Sequence, residues 1–186
     1  MQNLFFQHEK KETVAQYLSS DIINNKEYHL ILVSCYFILD SAEELINELL
    51  NRQIKISKIS IYIDRGAAIK AGKEKINKWI KNFPKSINVS FKVSNISSLF
   101  HAKAYCLLAD DSTYGRLVIG SANLTGAGLT EANNGNVELL YNIQDIEDIK
   151  HFYNDLTSTP LGNFIDISEL ENFYKDDYYF KYALVQ

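Results

Sequence analysis

The stretch from Phe100 to Tyr141 sets His101, Lys103, Ser121, Asn123 and Glu138 among otherwise apolar residues. Burying an unpaired polar or charged group costs on the order of several kcal/mol, so such side chains inside hydrophobic runs imply mutual partners or a bound ligand. An imidazole serves as nucleophile or proton carrier near neutral pH, while a lysine supplies a fixed positive charge for an anionic oxygen. In a strand at 101–109, period-2 alternation puts His101 and Lys103 on one side together with Tyr105 and Leu107. The spacing H-x-K alone is weak evidence. His8-Glu9-Lys10 repeats it in a charged, helix-like segment with no strand behind it, and reads as surface.

Two further groups strengthen the signal. The apolar strand Arg116-Leu117-Val118-Ile119 ends at Gly120-Ser121-Ala122-Asn123, where glycine lets the backbone approach a ligand and Ser121 and Asn123 offer neutral donors suited to an oxyanion. The turn at Asn133-Asn134-Gly135-Asn136 then leads into Val137-Glu138-Leu139-Leu140-Tyr141, where one carboxylate interrupts a strand. A buried glutamate needs a partner, and an imidazole N–H on a neighbouring strand is a good one, because the carboxylate fixes the tautomer and stabilises the cation. Singly, Ser121 and Asn123 also suit a turn and Glu138 an edge strand; order and spacing together point to an anion site, and the five residues read as a phosphate site.

The elements that must position these groups alternate along the chain. Residues 8–23 are helix-like, 29–39 form an apolar strand run, and a helix follows with Ser41 as N-cap and Glu44 completing a capping box. Strands at 56–64 and 86–94 flank a helix at 69–83. This β-α-β-α-β order predicts an α/β fold with a mixed, largely parallel β-sheet and helices on both faces. Strands at 101–109, 115–120 and 136–143, a helix at 145–158 and a tyrosine-rich tail at 168–186 complete the reading. At 186 residues, with 46% apolar and 23% charged content, the chain is read as a single domain, 1–186, with its core at about 28–143.

Net charge is −4, which removes the argument for nucleic-acid binding by a generally basic surface, so any polyanion must be met locally. Lys70, Lys73, Lys75, Lys78, Lys81 and Lys85 form the best local cluster, with Ile76, Trp79, Ile80 and Phe83 on the helix's apolar face. A solvated helix face and a non-specific backbone contact both fit it. Cys35 and Cys106 fall in apolar runs and read as small buried hydrophobes. The four histidines and two cysteines have no metal-ligand spacing, so neither a metal nor another cofactor is expected. Without a long apolar run or a signal-peptide pattern, the expectation is a cytoplasmic protein with no membrane contact.

H-x-K at His101 and Lys103, G-S-x-N at Ser121 and Asn123, and N-x-E at Glu138 together resemble the phospholipase D superfamily. The single copy of the motif is similar to the superfamily's bacterial nuclease branch, which includes metal-independent restriction endonucleases. The resemblance covers about residues 28–143. It implies that His101 attacks phosphorus to form a phosphohistidine, that Lys103 and Asn123 hold the non-bridging oxygens with Ser121 in support, and that Glu138 orients His101. One chain supplies one motif histidine, so a homodimer with an active site shared across a twofold axis is implied. The substrate implied is DNA, in restriction or phage defence, with an ATPase or DNA-recognition partner protein to deliver it to an acidic chain. A catalytically silent assembly subunit and a phospholipid phosphodiesterase are the alternatives. The sequence departs from the fuller motif at Leu108, where an aspartate is usual; Asp110 and Asp111 come later and are not counted as catalytic.

Overall fold

The computed structural model describes residues 4–7, 13–23, 25–96, 99–129, 137–158 and 163–170. In chain order the elements are β1 (Leu4–Gln7), α1 (Val14–Ser19), β2 (Glu27–Ser34), α2 (Leu39–Asn51), β3 (Lys55–Ile63), α3 (Arg65–Ala71), α4 (Lys73–Ile80), β4 (Asn88–Ser94), β5 (Ala104–Ala109), β6 (Gly115–Gly120), α5 (Gly126–Leu129), β7 (Glu138–Ile143), α6 (Ile146–Ser158) and β8 (Phe164–Asp166). The strands form one eight-stranded sheet in the order β1-β7-β6-β5-β2-β3-β4-β8. β2 is buried on both sides after Glu27, as a near-continuous apolar run requires of a central strand.

The two faces are covered unequally. Leu30, Leu32, Ile59, Ile61, Tyr105, Leu107 and Val118 pack under α1 to α4, while Ile31, Val33, Cys106, Leu108 and Leu117 meet Ile149 and Leu156 of α6. The fold is therefore α/β with a mixed sheet and helices on both faces, as expected, but it is not largely parallel. Only β2–β3 and β3–β4 are parallel, and the other five pairings are antiparallel. The connection at 95–103 is too short to carry a crossover helix, so β5 must enter beside β2 from the edge where β4 leaves.

Several element boundaries differ from the sequence reading, β5 among them, which begins at Ala104 and not at 101. The strand run at 29–39 stops at Ser34, whose hydroxyl donates to the Tyr36 carbonyl at 2.6 Å and turns the chain. α2 then begins at Leu39 with Ile38 at the cap and no side-chain cap bond; Ser41 is buried inside the helix. The start is fixed instead by the Ile38 N–H, which donates to the Leu124 carbonyl at 3.0 Å. The helix expected at 69–83 is two, α3 and α4, because Gly72 adopts φ +88°, a left-handed conformation that interrupts helical bonding. The N-terminal helix is shorter than 8–23: it begins after a capping box at Thr13 and Gln16, and residues 8–12 lie outside the described residues. The same is true of most of the tyrosine-rich tail.

Under α6, His29 lies 2.8 Å from the Ser60 hydroxyl, which lies 2.9 Å from that of Ser90. Its ring meets Tyr153 edge to face at 5.6 Å. Burial, helped by the Lys58 charge, pushes the imidazole pKa from 6.5 down to about 4. Between those values the unfolded chain binds the proton and the folded chain resists it, so this group makes stability fall as pH falls. From pH 7 to about pH 4.5 the loss amounts to about 2 kcal/mol. Denaturant unfolding of wild type and His29→Gln at both pH values should show the variant's pH dependence smaller by that amount; identical pH dependence would refute it.

Candidate functional site

The antiparallel entry of β5 collects the ends of several strands on one edge of the sheet. β2 and β3 finish there, β5 begins there, β6 finishes beside it and β7 begins beside β6. His101 and Lys103 lie in the segment that leads into β5, Ser121 and Asn123 in the turn that leaves β6, and Glu138 at the first position of β7. The structure thus brings all five residues to a common edge, although 37 positions separate the first from the last.

His101 is exposed and Lys103 partly buried. The Lys103 Nζ lies 3.0 Å from Nε2 and 3.2 Å from Nδ1 of His101, and donates to the His101 carbonyl at 3.2 Å. Burial lowers the Lys103 pKa, opposed by the neighbouring Cys35 and Glu138. Cys35 itself is buried, as expected of a small hydrophobe, and its thiol is pushed up to about 11 by burial and by Asp64. It is a thiol at neutral pH, beside the lysine but inert as a nucleophile.

Glu138 is buried at the edge and accepts a short hydrogen bond from the Ser121 hydroxyl. Ser121 Oγ in turn accepts the Leu139 N–H at 3.0 Å, and the Ser121 N–H donates to the Leu139 carbonyl at 3.1 Å. Ser121 therefore ties the β6 turn to β7 and holds the carboxylate. Glu138 acts electrostatically on Lys103.

The turn carrying Ser121 and Asn123 is secured at successive residues. The fully buried Tyr105 hydroxyl donates to the Ala122 carbonyl at 2.9 Å, the Tyr36 N–H donates to Asn123 Oδ1 at 3.2 Å, and the Leu124 N–H donates to Ser34 Oγ at 2.8 Å. A backbone N–H can only donate, so it fixes the Asn123 amide with its oxygen toward Tyr36 and keeps the NH2 as a donor for an anion. Gly120 is obligatory beside β7: a Cβ there would lie 2.2 Å from the Leu139 carbonyl oxygen.

Three positioning residues escaped the sequence reading. Ser34 and Tyr36 lie inside what reads as an apolar run, and nothing in that run announces a turn. Asp64 follows β3 and is buried, with one carboxylate oxygen accepting the Gly66 N–H at 2.8 Å to start α3 and the other accepting the Phe100 N–H at 3.0 Å. It clamps the chain immediately before His101. Its signal was available: a single carboxylate adjoining an apolar strand, as Glu138 is a single carboxylate within one.

The departure from the motif also acquires a physical reason. Leu108 is buried on the α6 face, opposite the face shared by Tyr105 and Leu107, so it fills core and does not face the site. Asp110 and Asp111 sit past the far end of β5, where Ser57 donates to Asp110 at 2.7 Å and Lys26 pairs with Asp111. Neither reaches the edge carrying His101.

An ammonium, an amide and an imidazole thus gather at one edge of a mixed α/β sheet. The family model described as "NgoFVII restriction endonuclease N-terminal PLD domain" matches residues 11–172, and the chain belongs to this family. It is a phosphodiesterase of nuclease type within the phospholipase D superfamily. Among solved structures, polyphosphate kinase from Porphyromonas gingivalis is 14% identical with a TM-score of 0.54, over 84% of this chain and 26% of that one, and shares the fold. NucT from Helicobacter pylori is 20% identical with a TM-score of 0.48, over 80% of this chain and 87% of that one. Yeast tyrosyl-DNA phosphodiesterase is 13% identical with a TM-score of 0.42, over 75% of this chain and 31% of that one. The chain thus spans under a third of the yeast phosphodiesterase and of the kinase. No curated protein sequence matches it. Among the described residues no helix is long and apolar enough to cross a membrane, and no group of three or more His, Cys, Asp or Glu side chains is arranged to hold a metal.

Proposed function

We propose that this domain hydrolyses DNA phosphodiesters without a metal, through a phosphohistidine on His101. The observation that carries the reading is the placement of the Lys103 ammonium 3.0 Å from the His101 ring at an exposed edge that also holds Asn123 and the Ser121–Glu138 pair. A ring nitrogen of His101 attacks phosphorus while Lys103 and the Asn123 amide take the charge on the non-bridging oxygens. The leaving oxygen departs with a proton from a second imidazole. That imidazole next takes a proton from water, which attacks phosphorus, breaks the P–N bond and frees His101. Glu138, held by Ser121, orients the nucleophile and supports its cationic form.

The second imidazole in this scheme is His101 of another copy, which makes the working unit a homodimer with one shared site. With a net charge of −4, delivery to DNA falls to a partner protein, an ATPase or a DNA-recognition subunit, and the setting is cytoplasmic restriction of foreign DNA.

Plasmid DNA incubated in excess chelator should be cut by wild type and left intact by His101→Ala and Lys103→Ala, with losses of at least a thousandfold for the histidine variant. Loss of wild-type cleavage in chelator with rescue by magnesium would overturn the metal-free scheme. For the shared site, heterodimers of differently tagged wild-type and His101→Ala chains should be nearly inactive. Near-full activity per heterodimer would rule out a second imidazole supplied in trans.

A further inference from the structure

Beside the catalytic edge, on the face covered by α2 to α4, residues 36–40, which lead into α2, and the α3–α4 pair line a cleft of about 440 Å³. Tyr36, Phe37, Ile38 and Thr125 line it together with Lys70 and Lys75. We propose that this cleft is a channel for the polynucleotide strand that adjoins the scissile phosphate, with Lys70 and Lys75 as its backbone contacts. The proposal rests on the nuclease reading and names where the substrate runs.

Continuity with the site is the first support. The Tyr36 N–H that holds Asn123 belongs to a segment that lines the cleft, and Thr125 is two residues beyond Asn123, so a strand leaving the Asn123 amide enters the cleft directly. The chemistry of the walls is the second. Phe37 is fixed edge to face on Phe91 at 5.2 Å, a rigid apolar part of the lining, while Ile38 is 48% exposed, an apolar surface that no core contact explains. Bases and sugars pack on such surfaces while phosphates seek cations.

The lysines themselves divide by use. Lys73 donates to the carbonyls of Ser168 at 2.6 Å and Leu170 at 3.0 Å, a structural role. Lys70 and Lys75 are exposed and have no ion pair among the described residues. Asp40, in the first turn of α2, also lines the cleft, and its charge disfavours an anionic backbone beside it. On a chain of net charge −4, two uncommitted cations lining the cleft are a local attraction that the whole-molecule field does not supply. Lys81 and Lys85, although close in sequence, follow α4 on the approach to β4 and line no part of the cleft.

The test is binding of a short fluorescent oligonucleotide, followed by anisotropy over a range of salt, in a His101→Ala background that cannot turn over. Lys70→Glu with Lys75→Glu should weaken binding at least tenfold and reduce the slope of log Kd against log salt by about two, one for each lost phosphate contact. Lys70→Gln with Lys75→Gln should fall between. Lys55→Glu with Lys85→Glu makes the same charge change at exposed positions on the opposite edge of the sheet and should change Kd less than twofold. Equal losses in both reversed pairs, no loss in either, or no oligonucleotide binding by the parent would overturn the channel. The nuclease reading is judged separately, because hydrolysis of bis(p-nitrophenyl) phosphate in chelator by wild type needs only the catalytic edge.

Discussion

The direction of one strand governs the rest of the structure: β5 runs antiparallel to the central strand β2, after a parallel β2-β3-β4 unit has been laid down. In a fully parallel continuation, the start of β5 and the end of β2 would lie at opposite edges, and His101 would be some 20 Å from Ser34 on strand rise alone. Reversal instead places Val33 opposite Ala104, so the segment bearing His101 and Lys103 meets the turn that Ser34 builds. The β5–β6 hairpin and the antiparallel β7 then return Ser121, Asn123 and Glu138 to the same edge.

Holding that edge open is expensive, because it puts Ser34, Asp64, Tyr105 and Glu138 where water is largely excluded. Each has a partner that is itself part of the site's support. Ser34 bridges the Tyr36 carbonyl and the Leu124 N–H; Asp64 joins the start of α3 to Phe100; Tyr105 holds Ala122; Glu138 is bound by Ser121. A net gain of about 1 kcal/mol per satisfied bond is modest, whereas an orphaned buried donor or acceptor costs about 1–3 kcal/mol. The network therefore acts less as a source of stability than as a filter against other arrangements of the turn, and the exposed His101 and half-buried Lys103 stand on a rigid base.

How much of this was legible in the sequence follows from the range of the interactions. Glu138 and Lys103 stand out because a charge in an apolar run is a local anomaly, and the strands themselves are legible, though not their ends, because β-branched runs are local too. The balance of parallel and antiparallel pairing is not legible locally: it depends on what a short connection can span after β4, which only becomes decisive once β4's position in the sheet is known. The start of α2 is hidden for a similar reason. Ser41 and Glu44 make a plausible capping box in isolation, but the bond from Ile38 to Leu124, 86 positions away, sets the boundary first. Asp64 shows the reverse case, a residue with a local signature close to that of Glu138 whose role at the site is visible only when Phe100 is seen against it.

Stereochemistry at phosphorus tests the central claim, that His101 acts as a nucleophile on this edge, most directly. A substrate carrying one chiral phosphorothioate linkage, cleaved in isotopically labelled water, reports whether the oxygen enters by one displacement or two. Two in-line displacements through a histidine adduct predict overall retention of configuration. Inversion would mean that water attacks the phosphodiester directly, and would contradict the account.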